Sequence, residues 1–151
     1  MTRRRAFARA GVVLVAVLVL DQVSKAVVRA TLDPGESHRI VAFFRLVRAR
    51  NEGIAFGALA GGGTLVVAIV AAALIGLIVY FVMHATRRLA WLPTGLLLGG
   101  ALGNIIDRVR QGGVTDFLQL PHWPAFNVAD MAITAGVVAL VVVLDASDDH
   151  R

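Results

Sequence analysis

Four long apolar stretches separated by short polar segments set the pattern of this chain. Thr64 to Met83 runs twenty residues without a charge. Leu89 to Ile106 runs eighteen, with Pro93 in its first turn, where a missing N–H costs a helix little. Ala129 to Leu144 is a third and carries Asp130 near its start. The first, Ala10 to about Ala30, is apolar as far as Leu20 and then takes on Asp21 and Lys25. A helix crossing the bilayer needs about 20 mainly apolar residues, so the pattern predicts an all-α integral membrane protein with four transmembrane helices.

The connections add detail. Asp33-Pro34-Gly35 marks a turn after the first span. Ile40 to Arg50 mixes β-branched and aromatic residues with alternating arginines, which predicts short strands on the membrane surface. Gly57 to Gly63 is a small-residue entry into the second helix, and no internal repeat is present. One domain, 1–151, is expected. The basic start, the apolar run from Gly11 to Leu20 and the small-residue Val28-Arg29-Ala30 also fit a cleavable signal peptide. The three further spans favour a first helix that inserts the protein and is kept.

Composition sharpens the class. Hydrophobic residues make up 58% of the chain and the mean hydropathy is +0.76, well above the apolar share of soluble domains. The net charge of +5 sits largely in Arg3, Arg4, Arg5 and Arg9 and in short loops, which reads as a cytoplasmic anchor and not as a nucleic-acid surface. With no cysteine, a disulfide framework, a thiol nucleophile and thiolate metal sites are excluded. The four histidines, His38, His84, His122 and His150, show no ligand spacing, so no metal and no cofactor are expected.

If the helices alternate in direction, the end of helix 1, the start of helix 2, the end of helix 3 and the start of helix 4 share one side. The polar clusters Asp21-Gln22-Val23-Ser24-Lys25, Asn51-Glu52-Gly53, Gly103 to Arg108, Val114 to Phe117 and Asn127 to Asp130 all fall there. Charges at a membrane boundary are costly, and their gathering on one face predicts a functional site. The other side has the amino-terminal arginines, Arg87-Arg88 and the tail from Asp145, so the positive-inside tendency makes it cytoplasmic, with both termini. Arg39, Arg45, Arg48 and Arg50 run against that orientation.

Within the clusters, Asp21 and Lys25 are one helical turn apart and suit an ion pair, a substrate contact, or both. Gly95, Gly99 and Gly103 form a stripe that lets a neighbouring helix approach closely, and Asp107 continues it into the bundle. A bracing network is the expected role of Asn104, Asp107 and Arg108. Asn127 and Asp130 have the spacing of a helix-capping box, whereas Asp116 is read as a loop residue with no helix to cap. Two neighbouring carboxylates share a proton, which supplies a base for water and an acid for a carbonyl. Asp116 and Asp130 are the candidate pair.

These residues resemble the bacterial lipoprotein signal peptidase, or signal peptidase II, family. The matching motifs are Asp21-Gln22-x-x-Lys25, Asn51-x-Gly53-x-Ala55-Phe56-Gly57, Gly99-Gly100-Ala101-x-Gly103-Asn104-x-x-Asp107-Arg108, Val114-x-Asp116-Phe117 and Phe126-Asn127-x-Ala129-Asp130, in family order. The arginine-rich first loop and the short carboxyl tail are the unusual parts. The resemblance implies an aspartic endopeptidase of the bacterial cytoplasmic membrane that cuts prolipoproteins just before a diacylglyceryl-modified cysteine, and that globomycin inhibits. By motif, Asp116 and Asp130 correspond to the catalytic pair. Asp21, Lys25, Asn51, Gly53, Asn104, Asp107, Arg108 and Asn127 correspond to positions that line or support the site. A small extracytoplasmic β-cradle between helices 1 and 2 is also implied.

The expected partners are lipid-modified prolipoproteins and membrane lipid, with no nucleic acid; a monomer is expected. Gly57 to Gly63 is the candidate cover over the site. Two rival classes are a small transporter or channel, which calls for acids near mid-helix, and an assembly protein, which gives no reason for Asp116.

Overall fold

The computed structural model describes residues 1–52, 63–87 and 89–148. Gly53, Ala55, Phe56, the candidate cover up to residue 62, and Arg88 lie outside the described residues. Four long helices and a small sheet make up the rest: α1 (Arg3–Thr31), β1 (Ser37–Val41), β2 (Phe44–Asn51), α2 (Gly63–His84), α3 (Trp91–Gln111), β3 (Val114–Gln119) and α4 (Val128–Asp148).

Each apolar stretch forms a helix, and the helices outrun the apolar runs that announce them. At 29 residues α1 is roughly 43 Å long, so its arginine-bearing start reaches beyond a hydrocarbon core of about 30 Å. Likewise α3 continues through Asp107 and Arg108 to Gln111, where Gly112 at φ +71° closes it in the left-handed conformation. Among the described residues α1 and α4 are long and apolar enough to cross a membrane. Their outward faces are apolar: Val12, Val15, Val19 and Leu20 on α1 and Val138, Val141 and Val142 on α4 are exposed. A soluble protein does not leave such stripes to water; these surfaces suit lipid.

Packing is closest along α3. A Cβ added to Gly95 would lie 2.7 Å from the Ala10 carbonyl oxygen, and one on Gly99 would lie 2.8 Å from that of Leu14. Gly100 meets α4 the same way, with the Ala129 oxygen at 2.5 Å from a built Cβ. The glycine stripe thus seats α1 and α4 backbone-to-backbone against α3, as its spacing predicts. One apolar cluster, Ala6, Ala10, Phe81, Ala85, Ala90 and Val143, closes one end of the bundle. A second, Val28, Leu32 and Phe117, closes the other beneath the sheet.

The sheet corrects two expectations. Ile40 to Arg50 is an antiparallel hairpin, β1 with β2, turning at Ala42-Phe43. The cradle, however, does not come from the first connection alone: β3, between α3 and α4, pairs antiparallel with β2 in the order β1-β2-β3. Asp116 is therefore a strand residue, opposite Ala49, and not a loop residue. Pairing to a strand some 65 residues earlier fixes it more tightly than a loop would.

Two of the four loop arginines are explained by helix ends. Arg48 donates to the Arg29 and Leu32 carbonyl oxygens at 3.2 and 2.7 Å, covering the last turn of α1. Arg50 donates to the Gln111 oxygen at 2.8 Å, at the end of α3. Both satisfy orphan carbonyls and complement the negative pole of a helix dipole.

Candidate active site

The polar clusters converge where α1 and α3 end, α4 begins and β3 crosses between them. At the bottom lies an ion cluster with almost no exposure. Lys25 Nζ is 2.8 Å from Asp21 Oδ2 and 3.2 Å from Asp107 Oδ2, and it donates to Asn104 Oδ1 at 2.9 Å. The four-residue spacing of Asp21 and Lys25 yields the ion pair it predicts, and the α3 stripe delivers Asp107 into the same cluster. Asp21 also accepts from the Ala129 N–H at 2.9 Å, which ties α1 to the first turn of α4. Asp107 accepts from the Thr115 N–H at 3.1 Å, which ties α3 to β3.

Above this cluster sit the two candidate acids. Asp116 is 3% exposed; Asn127 Nδ2 donates to its Oδ1 at 2.7 Å and Asn51 Nδ2 to its Oδ2 at 3.2 Å. Asp130 accepts from Asn104 Nδ2 at 2.9 Å and from the Asn127 N–H at 3.2 Å. In return the Asp130 N–H donates to Asn127 Oδ1 at 2.9 Å, completing the capping box at the start of α4. Capping and site construction are therefore one arrangement, with Asn127 holding both acids. Asn127 Nδ2 also faces Asn104 Oδ1 at 3.2 Å, and this joins the acids to Lys25.

Burial pushes the Asp116 carboxyl up to about 6, and the neighbouring Asp130 charge pushes in the same direction; the Asn127 and Asn51 amides and the Lys25 charge pull against it. A carboxyl so placed holds a proton within reach of physiological pH. Asp130 faces outward into a cavity of about 460 Å3 walled by Leu120, Trp123, Phe126, Met131 and Thr134, an apolar groove leading up to one carboxylate. A roomier apolar cavity of about 550 Å3 between α2, α3 and α4 contains none of the acids. Among the described residues no three His, Asp or Glu side chains converge as metal ligands.

Asp21, Lys25, Asn51, Asn104, Asp107, Asp116, Asn127 and Asp130 are thus brought into one network. Arg108 is not: half-buried, it reaches back to the Asn104 carbonyl oxygen at 3.3 Å within its own helix. Gly53 lies outside the described residues. Two participants go beyond the expected set. Gln22 Nε2 donates to Asp21, the Gly103 carbonyl and Asp107 at 3.1 to 3.2 Å, and Arg29 Nη1 donates to Thr115 Oγ1 at 3.1 Å and lies 3.9 Å from Asp107. Arg29 falls one turn after Lys25, the signal that pointed to its sharing that face.

Residues 13–145 match the family model described as signal peptidase (SPase) II. The chain belongs to the signal peptidase II family. It is 45% identical to the lipoprotein signal peptidase of Moorella thermoacetica over 139 residues, 89% of this chain and 93% of that protein. The lipoprotein signal peptidase of Cupriavidus necator is 46% identical over 136 residues, 83% of this chain and 77% of that one. A solved structure described as a bacterial membrane enzyme superposes with a TM-score of 0.86 at 32% identity, covering 94% of this chain and 90% of that one. A second so described gives 0.79 at 34%, covering 89% and 91%. As a signal peptidase II family member the chain is a membrane peptidase.

Proposed function

We propose that this protein removes signal peptides from prolipoproteins, cutting immediately before the diacylglyceryl-modified cysteine, with Asp116, Asp130 and water as the catalytic machinery. The observation that carries the reading is the shared brace: Asn127 donates to Asp116 at 2.7 Å and is locked to Asp130 by two further hydrogen bonds, so the acids are held as a pair. Burial that raises Asp116 to about 6 makes it the proton holder, and both Asp130 oxygens accept hydrogen bonds, as suits a carboxylate.

In this scheme Asp130 takes a proton from water as the water oxygen attacks the scissile carbonyl carbon, while Asp116 gives its proton to the carbonyl oxygen. When the tetrahedral intermediate collapses, the C–N bond breaks, the proton on Asp130 passes to the leaving amine, and Asp116 recovers its proton from the hydroxyl. The enzyme ends as it began.

All four helices span the bilayer in this reading, as one domain and a monomer, with both termini cytoplasmic and the acids at the extracytoplasmic surface. Substrate acyl chains then stay in lipid while the peptide reaches Asp130 along its apolar groove, so little apolar surface must enter water. A transporter gains no support, because the acids close a network at helix ends and the family is one of peptidases. The test is mass spectrometry of the products from lipidated and unlipidated prolipoprotein incubated with the purified protein. Cleavage before the lipidated cysteine, with the unlipidated precursor left intact, is expected; equal cleavage of both would remove the lipid requirement.

A further inference from the structure

Arg48 and Arg50 are occupied by helix ends, but Arg39 and Arg45 are not. They stand directly opposite each other on β1 and β2, where like charges repel, and Gln119 continues the row on β3 opposite Arg45. Arg45 Nη2 donates to Ser37 Oγ at 2.7 Å, and among the described residues neither guanidinium has a carboxylate within ion-pair distance. The nearby Glu36 is engaged by His38 and the Asp33 N–H, both at 2.7 Å.

The row opens on a cavity of about 290 Å3 whose far wall is Leu120, Pro121 and His122. His122 is held at φ +60°, a conformation that a non-glycine residue adopts only where its surroundings impose it. Next to this basic hollow the hairpin tip exposes Ile40, Val41 and Phe43, each more than half accessible, and Trp123 follows His122 at 64% exposed. On the other sheet face, Leu46 and Leu118 pack against the cluster of Val28, Leu32 and Phe117, so the arginine row points away from the helices.

We propose that Arg39 and Arg45, with His122 as the wall, bind the phosphate head group of an anionic phospholipid, whose acyl chains run beside Ile40, Val41 and Phe43. Two guanidiniums on one sheet face suit a phosphate, which accepts forked hydrogen bonds and cancels the repulsion between them. Exposed aromatic and aliphatic groups beside that anion fit the head-group level of a bilayer better than they fit water or a soluble anion. The site would pin the sheet to the membrane surface, and thereby β3, which carries Asp116. It explains why arginines persist on the side that the positive-inside tendency leaves poor in them.

The test is thermal unfolding of the full chain in neutral detergent, titrated with short-chain phosphatidylglycerol, short-chain phosphatidylcholine or inorganic phosphate. Phosphatidylglycerol is expected to raise the Tm of the wild type well above the other two additions, because a ligand of the native state stabilises by mass action. Arg39→Gln/Arg45→Gln should weaken the apparent affinity by roughly tenfold, the loss of about one charge-assisted contact. Arg110→Gln, an exposed cation outside the hollow, should respond like the wild type. An unchanged phosphatidylglycerol response in the double variant, or an equal response to phosphatidylcholine, would overturn the site. An equal response to inorganic phosphate would overturn its assignment to lipid. Should the double variant fail to fold, Arg39→Gln alone, which keeps the Arg45 bond to Ser37, carries the same comparison.

Discussion

The side-chain amide of Asn127 lies 2.7 Å from Asp116 Oδ1, so the residue that caps α4 also holds the acid on β3. Helix start and catalytic geometry therefore depend on one side chain, and substitutions at Asn127 can separate the two roles.

Asn127→Ser keeps an oxygen to cap α4 and loses the donor to Asp116. Serine and asparagine are comparable caps, so the Tm should stay near that of the wild type. The lost charge-assisted bond, about 1.5–3 kcal/mol, should lower kcat by roughly 10- to 100-fold if it is made in the transition state. Asn127→Ala should lose both, with about 1 kcal/mol of stability gone from the cap alone. Unfolding and turnover measured on the same samples check the split.

Lys25→Met removes the cation between Asp21 and Asp107, which are fully buried and lie 2.8 and 3.2 Å from it. Two carboxylates would then face each other without a counter-charge, and breaking a buried pair in this way destabilises by about 3–5 kcal/mol. Denaturation in detergent should show a loss of that order, far larger than for Arg110→Gln at an exposed position.

Gly103→Ala would place a Cβ 2.5 Å from Asp21 Oδ2, an oxygen held by Lys25 and Gln22. The carboxylate cannot swing aside without breaking those bonds, so overpacking should lower stability by about 1–3 kcal/mol. Gly76→Ala on α2 meets nothing within 4 Å and should be neutral or better, since alanine favours a helix by up to about 1 kcal/mol. The two Tm values should move in opposite directions or differ by several degrees.

The pH dependence follows from Asp116. With its carboxyl raised from 3.8 to about 6, the native state holds the proton where the unfolded chain has released it. The stabilisation is complete below about pH 4 and is lost as pH climbs through about 6, because the folded protein must then carry a buried charge beside Asp130. Asp116→Asn removes that titration, so its stability relative to the wild type should improve between pH 5 and pH 8 in unfolding measurements. In the wild type, kcat/KM should fall on the alkaline side as Asp116 loses the proton it donates.

Much of this was legible in the chain. The apolar runs announce the helices, the glycines at 95, 99 and 103 announce the close approach of α1, and Asn127 and Asp130 announce the cap. Those signals are local or periodic, within one element's length. What escaped is non-local. Val114 to Gln119 is too short to show a strand period, and its partner β2 lies on the far side of α2 and α3. The joining of Lys25 to both Asp107 and Asn104 likewise requires knowing that α1 and α3 end at one level. The arginines that cap helix ends looked like evidence about orientation until their carbonyl partners were in view.

The central claim is that Asp116 and Asp130 act together on one peptide bond. The direct measurement is cleavage of a diacylglyceryl-modified prolipoprotein by wild type, Asp116→Asn and Asp130→Asn, purified at matched folding. The wild type should cut before the lipidated cysteine and both variants should fall by at least about 1,000-fold, since each removes an obligatory proton carrier. Cleavage that survives either substitution would contradict the pair and move the chemistry to other residues of the network.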